Sequence, residues 1–259
     1  MSINTLVAIQ GGQDKKPPEY VDKYLDDIEL WYEGNYGLTG TSWRDASGNN
    51  NNLTRFNNSY VNTITSVNGL KASQINAGSV AGWQYTEANP YFQTIMSNGY
   101  TYFAVFRSGG ASMNGVIFEF GSSTNKAHQL GIANDTNPTN VRLHHNTSTS
   151  DFVRINQPNM GSIQLATAYG SSLNNLNLLL NGNQSGVVTT TSSTGVASST
   201  PSLYMGSANN DSLVICEFIA VKTQKALSVR EEFEGYLAHK WGFESELPGS
   251  HTYKASPPL

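Results

Sequence analysis

Two isolated glutamates are the carboxylates in this sequence with the clearest potential for chemistry. Glu119 lies in the apolar run 116–120, and Glu217 lies in the apolar run 213–221. A retaining glycosidase needs two carboxyl groups about 5 Å apart, and carboxylates on one face of a strand must be two or four residues apart. Neither glutamate has an acidic residue at those spacings. The sequence therefore predicts no catalytic pair of carboxylates.

Motifs for metal-dependent or nucleophilic catalysis are also missing. His144 and His145 are adjacent, and neighbouring residues of a strand point to opposite faces, so the two cannot easily chelate one ion. The sequence contains no Gly-x-Ser-x-Gly elbow, no phosphate-binding glycine loop and no zinc-type spacing of Cys and His. The single cysteine, Cys216, lies in an apolar run and is expected to be buried. We expect a protein that is not an enzyme.

Aromatic residues in polar surroundings are the best candidates for ligand binding. Trp83 and Tyr85 occur in Gly-Trp-Gln-Tyr-Thr, and Tyr91 and Phe92 follow an Asn-Pro pair. Aromatic faces stack on sugar rings, and nearby Asn and Gln side chains can form hydrogen bonds with hydroxyl groups. This pattern favours a neutral saccharide. For each ring taken singly, however, the favoured interpretation is a half-buried position in a strand.

The asparagine-rich loop around Asp45 offers oxygen atoms to a metal ion. In a tight turn, Asp45 would accept backbone N–H bonds, Gly48 would supply an unusual dihedral angle and Asn49 would tolerate the left-handed region. We favour this structural interpretation, because one carboxylate is few for a hard divalent cation. The alternative is a calcium site, in which Asp135 and Asp211 from two other loops would join Asp45 and Asn49.

Composition and charge restrict the partners of the protein. Charged residues make up 13% of the 259 residues, and the formal net charge is −4. Lys and Arg are scattered along the chain, whereas binding to phosphates needs concentrated positive charge, so we expect no nucleic-acid partner. No apolar stretch approaches the roughly 20 residues that span a bilayer, so we expect no membrane insertion.

The sequence also bears on where the protein acts. Its first residues have neither a basic segment nor a small-residue cleavage pattern, so they do not resemble a signal peptide. One cysteine cannot form an intrachain disulfide. Such a composition fits a protein that folds in a reducing cytoplasm and is exposed later, as virus particle components are. The alternative is a secreted protein whose export signal is missing from this sequence.

Apolar runs between turn clusters predict strands through most of the chain. Asn181-Gly182 predicts a type I′ hairpin, because both residues tolerate a positive φ. Residues 1–26 lack a sustained period and are expected to form an arm, and residues 27–259 are expected to form one domain. The predicted strands are 28–32, 101–106, 116–120, 163–169, 176–180, 202–205 and 213–221.

One helix is predicted near the end of the chain. Ser228 is expected to cap it, with Glu231 reaching back to complete a capping box, and Gly242 is expected to end it. A lone amphipathic helix after a run of strands indicates a β-sandwich against which the helix packs. Its apolar face consists of Val229, Phe233, Tyr236, Leu237 and Trp241.

Residues 27–259 resemble the concanavalin A-like, laminin-G-like jelly roll. The resemblance rests on Leu30-Trp31, on Trp43-Arg-Asp-Ala-Ser-Gly-Asn49, and on the run 216–221 followed by 234–242. It implies an all-β antiparallel sandwich of two sheets, each with about six or seven strands, and one C-terminal amphipathic helix. It also implies a structural hydrogen-bonding role for Glu217. Domains of this family occur in secreted glycan-binding modules and in bacteriophage structural proteins.

The functional hypothesis is a non-enzymatic bacteriophage virion surface protein, namely a head decoration, head fibre or tail appendage with a lectin-like domain that binds glycans. Residues 1–26 would dock onto other virion proteins, and many copies would turn weak glycan sites into useful avidity. A homo-oligomer is left open. The alternatives are a secreted, extracellular bacterial carbohydrate-binding or adhesion module and, less favoured, a glycoside hydrolase whose carboxylates come from separate loops.

Overall fold

Strands dominate the structure, a computed structural model that describes residues 23–56, 62–76, 82–85, 98–110, 114–121, 126–133, 140–145, 152–156, 161–172, 175–189, 202–209 and 212–258. Within these residues there are sixteen strands, the helix α1 (Leu227–Trp241) and a short 3-10 helix (Glu244–Glu246). The strands are β1 (Ile28–Glu33), β2 (Ser42–Trp43), β3 (Leu53–Arg55), β4 (Thr63–Val67), β5 (Leu70–Ile75), β6 (Trp83–Tyr85), β7 (Tyr100–Ser108), β8 (Asn114–Gly121), β9 (Lys126–Ala133), β10 (Asn140–His145), β11 (Phe152–Asn156), β12 (Ile163–Gly170), β13 (Asn175–Leu180), β14 (Asn183–Thr189), β15 (Ser202–Asn209) and β16 (Leu213–Lys222).

The strands form two antiparallel sheets that pack as a sandwich. The first sheet has the order β14-β13-β12-β7-β16-β5-β4, and β1 also pairs with β16. The second sheet has the order β11-β10-β9-β8-β15-β6-β3-β2. Each sheet has eight strands among the described residues, slightly more than the six or seven expected. The predicted all-β sandwich with one C-terminal helix is confirmed.

The predicted strands and hairpin agree with the structure. Every predicted run lies within a strand. Asn181 and Gly182 join β13 to β14 with φ values of 50° and 75°, and Leu180 pairs with Asn183 across the turn. These positive φ values match the twist of the flanking strands, which is why this dipeptide closes hairpins.

The core between the sheets is built largely from aromatic rings. Phe118 of the second sheet contacts Phe218 and Tyr102 of the first, with ring centroids 4.8 and 5.0 Å apart. Trp43 and Trp83 meet edge to face at 5.8 Å. All five residues are buried, so these rings hold the two sheets together.

Helix α1 covers the outer face of the first sheet. The ring of Phe233 stacks on Phe103 of β7 at 4.9 Å, and Leu237 and Trp241 belong to the same buried cluster. Cys216 lies in this cluster, as expected, and burial raises the pKa of its thiol. Because the central strand β16 is buried on both faces, it is almost continuously apolar.

The two ends of α1 fit the sequence predictions differently. Gly242 ends the helix in the left-handed region, with φ 72° and ψ 41°, as predicted. The predicted capping box is wrong: the N-cap is Ala226, which makes no side-chain cap bond, and Ser228 lies inside the first turn. Glu231 does not reach back, because its carboxylate accepts a hydrogen bond from Thr252 Oγ1 at 2.6 Å.

A buried polar network joins α1 to the first sheet. Glu217 accepts hydrogen bonds from the indole Nε1 atoms of Trp31 and Trp241, both at 2.8 Å. Lys240 forms ion pairs with Glu217 at 2.8 Å and with Glu33 at 2.9 Å. Burial raises the pKa of Glu217, and the charge of Lys240 opposes this rise. Burial lowers the pKa of Lys240, but the two carboxylates outweigh it and raise the pKa overall. The structural role expected for Glu217 is confirmed.

Residues 23–26, the last part of the predicted arm, lie against this helix. The ring of Tyr24 packs on Phe233 at 5.2 Å, and its hydroxyl donates to Glu232 at 2.6 Å. Lys23 forms an ion pair with Glu232 at 2.7 Å. Residues 1–22 lie outside the described residues, so the docking role of the arm stays a prediction.

Candidate functional site

The outer face of the second sheet differs from that of the first. The apolar side of α1 is buried against first-sheet residues. In the second sheet, by contrast, β11 and β15 alternate between more buried and more exposed side chains, and Gln84 of β6 is partly exposed, whereas the outward Glu119 of β8 and Arg142 of β10 are buried. Such alternation is typical of a sheet with one face on the core and one toward solvent. The outer face of the second sheet is therefore the surface on which a ligand can bind.

Strand register places a line of polar side chains across this outer face. Tyr204 pairs with Gln84 on one side and with Glu119 on the other. Paired residues point to the same face of a sheet, and the flanking residues along each strand point to the core. We call this line the polar row; with its neighbours on β3, β9 and β10 it consists of Thr54, Gln84, Tyr204, Glu119, Gln129 and His144.

The polar row is long and rich in hydrogen-bonding groups. Six adjacent strands about 4.8 Å apart give it a length of roughly 24 Å. It contains a hydroxyl, two amides, a phenol, a carboxylate and an imidazole, which together can both donate and accept. The carboxylate, Glu119, is buried at 7% exposure, and the other five side chains are partly or fully exposed. Gln129 Nε2 donates to Glu119 Oε2 at 2.6 Å, so part of the row is held in place by its own contacts.

An exposed aromatic ring lies beside the polar row. Phe56, just after β3, is 43% exposed, and its ring meets that of Tyr204 edge to face at 5.3 Å. The backbone N–H of Phe56 donates to Gly82 O at 2.9 Å, which fixes the base of the side chain. An accessible ring next to amides and hydroxyls can stack on an apolar sugar face while the polar groups bind its hydroxyls.

Two arginines face each other at one end of this surface. Arg142 of β10 pairs with Arg154 of β11, and both guanidinium groups lie near the ring of Phe152, at 5.1 and 5.9 Å from its centroid. Burial lowers the pKa of Arg142, and the charge of Arg154 lowers it further. This pair is not visible in the sequence, because the two arginines are well separated along the chain and only strand pairing brings them together.

Of the four aromatic residues predicted to bind a ligand, the structure describes Trp83 and Tyr85. Trp83 is 1% exposed, and its Nε1 donates to Ser73 Oγ at 2.8 Å, so its ring is a core residue and no ligand platform. Tyr85 is half-buried and packs against the same core. On β6 the outward side chain is Gln84, which lies between them. Tyr91 and Phe92 lie outside the described residues.

The carboxylate of Asp45 accepts hydrogen bonds from backbone N–H groups of its own loop and of β1. Its Oδ1 accepts from the N–H groups of Trp31 and Ser47, both at 3.0 Å, and Oδ2 accepts from the N–H of Asn51 at 3.1 Å. These bonds use three of about four lone-pair sites of a carboxylate. Asp45 therefore fixes the loop to β1, as the structural interpretation expected.

The other residues of the calcium hypothesis add no arrangement of ligands around a metal ion within the described ranges. Asn49 Nδ2 donates to the carbonyl oxygens of Ile28 and Glu29, at 3.2 and 3.0 Å. Gly48 has a positive φ of 90°, as expected, but the non-glycine residue in the left-handed region is Asn50, with φ 61°, so the expectation for Asn49 was wrong by one position. The other two candidate ligands, Asp135 and Asp211, lie outside the described ranges. Within those ranges no group of three or more His, Cys, Asp or Glu is placed to hold a metal ion. A calcium site stays a prediction.

No helix in the described part of the chain has the length and apolar character needed to cross a bilayer.

Comparison with known proteins gives matches at the level of the fold. No protein-family profile matches the chain, and no curated protein matches it in sequence. A receptor-binding domain of a botulinum neurotoxin C/D mosaic serotype matches with a TM-score of 0.64, 10% identity, and coverage of 81% of this chain and 51% of that one. A structure concerning botulinum neurotoxin type C, whose cell entry depends on two ganglioside molecules, matches with a TM-score of 0.63, 11% identity, and coverage of 84% and 53%.

A third structure also matches this chain at the level of the fold. It is the binding domain of botulinum neurotoxin DC in complex with rat synaptotagmin II, with a TM-score of 0.60, 11% identity, and coverage of 86% of this chain and 52% of that one. At such identities the likeness shows the β-sandwich fold. The chain spans about half the length of these toxin structures, so their ganglioside and synaptotagmin sites do not transfer to it.

Proposed function

We propose that this chain is a non-enzymatic carbohydrate-binding protein and that an extended glycan binds along the polar row. The observation that carries the proposal is the register that aligns six polar side chains on the outer face of the second sheet, beside the exposed ring of Phe56. Structural likeness to receptor-binding domains, one of which concerns ganglioside recognition, supports it at the level of the fold.

The position of the two strand glutamates supports a binding role over hydrolysis. Glu119 belongs to the polar row on the second sheet, whereas Glu217 is buried between the first sheet and α1. The core of the sandwich separates them. The two carboxyl groups therefore cannot flank one glycosidic bond, which retaining hydrolysis would require at about 5 Å.

Glycan binding is tested with a glycan array followed by calorimetry on a glycan that binds. We expect Gln84→Ala to weaken binding about tenfold, close to the ~1.4 kcal/mol scale of one lost hydrogen bond, because its amide lies in the polar row between Thr54 and Tyr204. The matched control is Gln74→Ala, another half-exposed glutamine, located on the first sheet. The proposal would be contradicted if Gln84→Ala bound the glycan as tightly as the unchanged protein, if both variants lost the same affinity, or if no glycan on the array bound.

The location we propose is the surface of a bacteriophage particle, with a secreted bacterial adhesion module as the alternative. The support is the sequence: a neutral polar composition, one cysteine and a fold type that resembles bacteriophage structural domains. Many copies on one particle would give weak sites a high avidity.

Mass spectrometry of purified phage particles and of the soluble secreted fraction tests this location. We expect the chain in the particles at a fixed copy number, because a structural component is built in stoichiometrically. Recovery only from the secreted fraction would overturn the virion placement and favour the adhesion module, while the glycan-binding proposal would stand on its own test.

A further inference from the structure

One end of the polar row has a positive charge that the overall composition does not suggest. The described outward side chains of β10 and β11 include Arg142, Arg154 and His144, and none of them is Asp or Glu. The whole chain, in contrast, has a net charge of −4. Positive charge is therefore concentrated at this edge of the second sheet, next to the hydrogen-bonding groups of the row.

We define the cationic edge as Arg142, Arg154, Phe152 and His144. Arg142 and Arg154 are direct partners across two strands, so their side chains emerge from the same face. The ring of Phe152 lies near both guanidinium groups and 5.5 Å from the ring of His144. His144 is also the last member of the polar row, so the row and the cationic edge are continuous.

Of the two arginines of this edge, Arg142 is held in place and Arg154 is accessible to a planar anion. Arg142 is buried to 8% exposure, and its Nε donates to Asn140 Oδ1 at 2.7 Å, which fixes the orientation of the guanidinium. Arg154 is exposed, and among the described residues it forms no ion pair. Arg142 lies directly opposite Arg154, so an anion bound at Arg154 also lies close to the positive charge of Arg142. The guanidinium fork matches a carboxylate in bidentate geometry.

We propose that the cationic edge binds the carboxylate of an acidic sugar residue, so that the glycan along the polar row is an acidic saccharide. This inference rests on the proposed glycan binding and specifies its ligand class. It replaces the neutral saccharide that the sequence favoured, because the two arginines come together only in the folded sheet.

The test compares carboxylated glycans with their carboxyl-reduced, uncharged counterparts, on an array and then by calorimetry with oligogalacturonate and its reduced form. We expect the acidic form to bind at least tenfold more tightly at low salt, and added salt to diminish this preference. Arg154→Ala is expected to abolish the preference. The matched control is Arg44→Ala, another exposed arginine over an aromatic ring, Tyr36 at 5.2 Å, located beyond the opposite edge strand β2; it is expected to keep the preference.

The other outcomes separate this inference from the proposed function. Equal binding of acidic and neutral forms, or equal behaviour of Arg154→Ala and Arg44→Ala, would overturn the cationic edge as the acidic-sugar site and leave neutral glycan binding in place. Sulfated glycans that bind as tightly as carboxylated ones would overturn the assignment of a carboxylate. An array on which no glycan binds would overturn both.

Discussion

Replacing Lys240 with methionine is expected to lower the free energy of unfolding by about 3–5 kcal/mol. The ammonium group lies 2.8 Å from Glu217 and 2.9 Å from Glu33, and the Glu217 side chain is fully buried. Methionine keeps the length of the side chain and removes its charge, so Glu217 would be left as a buried carboxylate without a cation. Urea denaturation of the two proteins measures the difference.

Two further variants identify the cause of this loss. Lys222→Met removes an exposed partner of Glu29 and is expected to cost less than about 1 kcal/mol, because surface ion pairs contribute little. Adding Glu217→Gln to Lys240→Met is expected to recover part of the stability, since it removes the uncompensated charge. Equal losses in Lys240→Met and Lys222→Met would show that the buried network is not held by charge.

Trp83→Ala is expected to cost about 3–5 kcal/mol of stability and to leave the glycan affinity of the folded protein unchanged. The indole is 1% exposed, packs on Trp43 and donates to Ser73, so its removal leaves a cavity and an unpaired buried hydroxyl. Thermal or urea unfolding gives the stability, and calorimetry below the unfolding transition gives the affinity.

Phe56→Ala is the matched comparison for this substitution, because it also removes an aromatic ring from the second-sheet side of the sandwich. With 43% of the residue exposed, we expect a stability loss below about 1.5 kcal/mol and a weaker glycan affinity. If Trp83→Ala removed binding with little effect on stability, the buried indole would have to be reassigned as a ligand contact.

The fold was predictable because buried strands and turns require particular residue types over short stretches of sequence. Strand β16 is apolar over nearly its whole length because one face packs on the core and the other on α1. The Asn181-Gly182 turn and the Gly242 helix end depend on backbone preferences of single residues. The N-cap was not predictable in this way, since Glu231 is engaged by Thr252, a tertiary contact.

The candidate site was harder to predict because it depends on register. The alternation in Trp83-Gln84-Tyr85 is visible in the sequence, but which face points to the core is decided by the partner strands. Likewise, Arg142 and Arg154 each lie between apolar residues, which marks them as outward-facing, yet only strand pairing places them opposite each other.

The contacts of Tyr24 determine which way a tethered copy of this protein faces. The chain enters the sandwich on the side of α1, where Tyr24 packs against Phe233. The polar row lies on the opposite side, beyond both sheets. A copy fastened to a support at Lys23 therefore has its attachment point and its proposed ligand surface on opposite faces of the sandwich. In a dense layer of such copies, every binding surface would point toward the surrounding medium.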